Sequence, residues 1–149
     1  MELVFALRPQ TPADSMVVHC LSLAVDDRTE LRPDVVVINL DHITDDSPVP
    51  VTDVLLAVDV VTEDTRFRDL YAKTGIYASA GVTDYWLLDP RFTDGLELTR
   101  LRLGADGTYR VADSTRNVCT TGLPFPMTID VPALTADYRK LLARIPGAG

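Results

Sequence analysis

The run from Asp53 to Val61, DVLLAVDVV, is almost continuously apolar with one charge inside it. A strand that reads this way is buried on both faces, so it calls for layers packed above and below a sheet. Period-two alternation puts Leu55, Ala57, Asp59 and Val61 on one face, which sets Asp59 among apolar neighbours. A carboxylate there is costly unless it is paired, hydrogen-bonded or bound to a metal. The plain alternative is a strand-end carboxylate satisfied by a backbone amide or an arginine, and the pattern by itself leaves both open.

Around this strand the chain reads as alternating elements. MVVHCLSLAV (16–25) and VVVINL (35–40) read as adjacent strands separated by a charged turn, and DHITDDSPVP (41–50) reads as an exposed loop. Residues 65–81 read as a helix, with Phe67, Leu70, Thr74, Tyr77 and Ala78 at helical spacing, Asp64 or Thr65 as cap and Gly81 as stop. A strand over 82–89 ended by Pro90 completes a strand, helix, strand unit. LELTRLRL (96–103) and TYRVAD (108–113) flank Asp106-Gly107, a hairpin signal. The chain closes with a strand around PMTIDV and a helix from Pro132 to about Arg144.

A length of 149 residues fits one domain, 1–149, with enough chain to bury a sheet between helices. No stretch approaches the roughly 20 apolar residues of a membrane span, and the N-terminus lacks a secretory pattern. The expectation is a cytoplasmic protein without membrane partners. Cys20 and Cys119 are far apart and read as buried free thiols, and His19 and His42 lack ligand-type neighbours. A net charge of −8 opposes tight binding to a polyanion, although a cation held by carboxylates offsets that field locally. Arg66, Arg68, Arg100, Arg102 and Arg110 read more simply as scattered surface charges than as a phosphate-facing rim.

Two further residues belong with Asp59. Asp34 follows Pro33 at the entrance to VVVINL, a common turn position that also aims at the sheet end where Asp59 lies. Lys73 sits beside the apolar stripe of its helix; it either reaches the sheet or forms a solvated i, i+4 pair with Asp69.

The segments RPDVVVI, LLAVDVVTEDT and RDLYAKTGIYASAGVTDYWLLDP, with D-x3-K-x3-Y, GV and YW-x2-DP in order, resemble the Uma2 (DUF820-type) family of restriction-endonuclease-like proteins. The similarity covers residues 32–90, and LPFPMTIDVPAL resembles the family's last strand and helix. The resemblance implies the PD-(D/E)xK nuclease fold, an α/β domain with a mixed central sheet flanked by helices. It also implies a phosphodiesterase site in which Asp34 and Asp59 hold Mg²⁺ or Mn²⁺ and Lys73 assists catalysis on DNA. Asp69 and Tyr77 resemble residues that position Lys73. In many members of the superfamily the lysine stands where this chain has Val61, so Lys73 on the helix takes its place.

Asp59 stands where family members usually have Glu, one methylene longer. The family's opening helix and acidic hairpin are expected to be missing, with Glu2 not alignable to their acid. An uncovered sheet face would favour a homodimer. The competing reading is a catalytically inactive homodimeric interaction module with the same fold.

Overall fold

The computed structural model describes residues 2–41, 49–62, 67–92 and 95–144. His42, Asp64, Thr65 and Arg66 lie outside the described residues, as do the side chains of Glu2, Phe67, Arg68 and Asp69.

The chain opens with helix α1 (Glu2–Leu7), followed by strands β1 (Ser15–His19), β2 (Leu23–Ala24), β3 (Glu30–Leu31), β4 (Val35–Asn39) and β5 (Val49–Pro50). Strand β6 (Val54–Val60) leads to helix α2 (Phe67–Ser79) and strand β7 (Asp84–Phe92). Then come β8 (Gly95–Leu103), β9 (Tyr109–Thr115), β10 (Val118–Thr121), β11 (Met127–Asp130) and helix α3 (Val131–Arg144). Among the described residues the central sheet runs β1-β4-β6-β7-β8-β9. β6 and β7 pair in parallel across α2, and the other neighbours are antiparallel. The result is a mixed α/β architecture, as the sequence implied. No described helix is long and apolar enough to cross a membrane.

Two apolar cores sandwich the sheet. On one face Val35, Val37, Leu56, Val58, Trp86 and Leu98 pack under Leu3, Val4 and Leu7 of α1 and Leu134 of α3. On the other, Val36, Ile38, Ala57 and Tyr85 pack under Tyr77 of α2, beside Leu23 and Leu31 of the small β3-β2-β5 sheet. β6 is therefore covered on both sides, which is why it reads as continuous apolar sequence. Where the opening helix was expected to be missing, residues 2–7 form α1, and the sheet face that expectation left open is covered by α1 and α3.

Other expectations need correction. The strand over 16–25 is broken at Cys20, whose φ of 53° turns the chain and whose amide donates to the Asp34 carbonyl at 3.1 Å. Cys20 is exposed, and only Cys119 is buried. Leu55 packs with the α1/α3 core rather than with Ala57, because the β4–β6 register shifts between Val37 and Ile38. Pro90 does not end β7: it lies in a register shift against β8, where its missing N–H leaves no ladder bond unmade.

The stop expected at Gly81 is present, and α3 has a cap of its own. Gly81 at φ 83° lets its own amide reach the Ala78 carbonyl and the Val82 amide reach the Tyr77 carbonyl, a Schellman closure of α2. Asp130 Oδ1 accepts from the Ala133 amide at 3.0 Å and caps α3. Asp106-Gly107 makes the β8–β9 turn with Gly107 at φ 79°.

Candidate active site

The ladder between β4 and β6 ends at the pair Val35–Val58. One step further in the same register, Asp34 lies opposite Asp59 on the face that α2 covers. The backbone donors left over at this point are satisfied by the two side chains. The Asp34 amide donates to Asp59 Oδ1 at 3.3 Å, and the Val60 amide donates to Asp34 Oδ2 at 2.6 Å. Each carboxylate thus locks the strand that carries the other.

Two like charges directly opposite each other destabilise a sheet, and Asp59 is also only 3% exposed. The compensating groups come from α2 and β7. Lys73 Nζ approaches Asp59 Oδ1 at 3.4 Å, with the lysine side chain 39% exposed. Tyr85, opposite Ala57 in the β6–β7 pairing, donates its hydroxyl to Asp59 Oδ2 at 2.8 Å. The structure therefore brings Asp34, Asp59 and Lys73 to one place, with Asp59 bonded to no arginine among the described residues. Asp34 is partly exposed, and its Oδ1 takes no hydrogen bond from a described residue.

Tyr77, one turn after Lys73, is fully buried, and its ring lies 4.6 Å from that of Tyr85. Its hydroxyl has no hydrogen-bond partner among the described residues, so it makes no bond to Lys73. Burial pushes the Tyr77 phenol well above its usual ionisation range, and the nearby charges of Asp59 and Asp34 push it further. Burial and Asp59 do the same to Tyr85. Both remain neutral donors at any physiological pH. The Asp69 side chain lies outside the described residues.

Tyr85 was not singled out from the sequence. Its signal lay in the YW-x2-DP motif and in strand parity, which puts Tyr85 and Leu87 on one face of β7. That this face is the one shared with Asp59 depends on the β6–β7 register.

The arginines on β8 and β9 have acidic partners. Arg100 reaches Asp113 at 3.4 Å, Arg102 reaches Asp84 at 3.0 Å and Arg110 reaches Asp106 at 3.5 Å. They are ion-paired rather than a free phosphate rim, and Arg100, its side chain only 16% exposed, is largely buried instead of standing on a solvated face as the sequence suggested.

Among the described residues no three His, Cys, Asp or Glu side chains group closely enough to form a metal site. Mg²⁺, however, is commonly held by one or two carboxylates with waters and substrate phosphate in the remaining places. Asp34 and Asp59 fit that requirement: they are hard oxygen donors, and among the described residues Asp34 Oδ1 accepts no hydrogen bond and the nearby buried Tyr77 hydroxyl has no partner.

The family profile described as "Putative restriction endonuclease", Uma2, matches residues 2–133, which includes every strand of the sheet and both carboxylates. The chain belongs to the Uma2 family. A solved structure described as a putative nuclease belonging to DUF820, from Anabaena variabilis, superposes on this Uma2 chain with a TM-score of 0.63. It covers 91% of this chain and 76% of the other at 15% identity, a likeness of fold. No curated protein matches the chain.

Proposed function

We propose that this Uma2 domain is a divalent-metal-dependent endonuclease that hydrolyses phosphodiester bonds in DNA, with Asp34 and Asp59 holding Mg²⁺ or Mn²⁺. The observation that carries the reading is the opposition of two carboxylates across β4 and β6 with the Lys73 ammonium beside them. Such a charge arrangement costs stability and is characteristic of sites rather than of cores. Membership of a family described as "Putative restriction endonuclease" supports the same reaction class.

A bound divalent cation supplies Lewis acidity toward the scissile phosphate and toward the attacking water. The chain's own residues do the rest. Asp59 is oriented by Tyr85 and the Asp34 amide, and Asp34 has one oxygen that accepts from no described residue. Lys73, on a partly exposed side chain, places positive charge where the phosphate gains negative charge. With a net charge of −8 and its β8–β9 arginines paired, the domain binds DNA weakly and mainly through this centre.

A second reading is favoured by one observation: Asp59 is already satisfied by protein donors without a metal. On that reading the domain is a catalytically inactive homodimeric interaction module. Calorimetric titration of Mg²⁺ and Mn²⁺ into wild type and Asp59→Asn, with plasmid nicking in the same samples, separates the two. The endonuclease reading expects binding and nicking in wild type and neither in the variant. Absence of binding at millimolar metal by a folded wild type would leave the inactive module.

A further inference from the structure

The third donor to Asp59 comes from β7, outside both the carboxylate pair and α2. Tyr85 reaches Oδ2 at 2.8 Å, whereas Lys73 and the Asp34 amide both reach Oδ1, at 3.4 and 3.3 Å. This division matters because a carboxylate turns about its last bond in a broad, two-fold well. Donors on one oxygen leave the plane of the group loosely defined, and a short bond to the other oxygen sets it.

The Tyr85 ring is itself held firmly. It is fully buried, lies 4.6 Å from the Tyr77 ring and 5.9 Å from the Tyr109 ring, and faces the small Ala57 on β6. Tyr109 is anchored in turn by its hydroxyl, which donates to the Val82 carbonyl at 2.6 Å, just past the end of α2. A two-torsion side chain packed between two rings points its hydroxyl in one direction.

We propose that Tyr85 is a positioning residue for Asp59, its hydroxyl setting the orientation of the carboxylate that receives the divalent cation and so setting the affinity for that cation. The inference rests on the metal-dependent reading above. Tyr109 supplies a control from the same ring cluster: its hydroxyl bonds a backbone carbonyl and touches neither carboxylate. Tyr109→Phe therefore perturbs the cluster without releasing Asp59.

The test is calorimetric titration of Mn²⁺ alone into wild type, Tyr85→Phe and Tyr109→Phe, with a melting curve for each. Tyr85→Phe is expected to weaken Mn²⁺ binding by about 10–100-fold, the usual effect of removing a hydrogen-bond partner from a metal ligand. Tyr109→Phe is expected to melt lower yet keep the wild-type affinity. A folded Tyr85→Phe protein with wild-type affinity overturns the positioning role and leaves the metal reading standing. A wild type that binds no Mn²⁺ overturns both. Should Tyr85→Phe fail to fold, the same titration on Tyr85→His, whose shorter ring withdraws the donor from Oδ2, decides the matter: a folded Tyr85→His with wild-type Mn²⁺ affinity overturns the positioning role, and a loss of about 10-fold or more supports it.

Discussion

Replacing Lys73 by Met removes the ammonium while keeping most of the alkyl chain, and it isolates what the positive charge does for the two carboxylates. At the observed 3.4 Å, opposite unit charges attract by about 1 kcal/mol at the dielectric of water and about 5 kcal/mol at an effective dielectric of about 20. Because Lys73 is 39% exposed, solvent screening and side-chain entropy bring the net value to about 1–2 kcal/mol. For a chain of this size that corresponds to a fall in melting temperature of about 2–8 °C. Asp59 does not lose all its partners, since the Tyr85 hydroxyl and the Asp34 amide remain. Divalent metal should then reverse the loss. A cation at 100 times its Kd contributes about 2.7 kcal/mol, and in Lys73→Met it no longer competes with an ammonium for Asp59. Thermal melting with and without Mn²⁺, followed by circular dichroism, should show the variant below wild type in chelator and at or above it in metal, with nicking still absent. A variant that melts like wild type in chelator and binds Mn²⁺ no better would refute the idea that Lys73 neutralises this pair.

Burial raises the phenol pKa of Tyr77, Tyr85 and Tyr109. An acid whose folded pKa is raised contributes stability below its unfolded value and loses that contribution as pH climbs beyond it, so the domain should unfold cooperatively in base above about pH 10. Tyrosinate absorbance rising smoothly in a still-folded protein at that pH would contradict this. Burial also raises the pKa of Asp84, against the opposing effect of Arg102. By the same sign its contribution is present in acid and lost as pH rises through the folded value, so at neutral pH the ionised Asp84 carries a desolvation penalty. Asp84→Asn should therefore be as stable as wild type or more so at neutral pH in urea unfolding; a loss of about 3 kcal/mol or more would mean that the Arg102 pair outweighs desolvation.

Much of the framework was legible along the chain because its signals are local. Continuous apolar residues marked β6, the helical repeat and Gly81 marked α2 and its end, and Asp106-Gly107 marked the β8–β9 turn. The charge inside an apolar run drew attention to Asp59, and the motif series pointed to the Uma2 family and to Asp34 and Lys73 beside it. Less legible were features that depend on pairing. The bulge that sends Leu55 to the other core, the short strands β2, β3 and β5, and the passage of β7 through Pro90 all follow from which strand lies alongside.

The site divides in the same way. Residue types and spacing by themselves marked one carboxylate inside an apolar strand, Asp59; Asp34 at a turn and Lys73 in mid-helix joined it only through the motif series that resembles the Uma2 family. Only the tertiary structure decided that Asp34 and Asp59 face each other and hold each other's strands, because that requires the β4–β6 register. Only it revealed Tyr85, whose hydroxyl meets Asp59 across a parallel pairing of residues 26 positions apart in sequence. Contacts of that kind are set by strand register and the packing of α2 on the sheet, and no local pattern of residues encodes them.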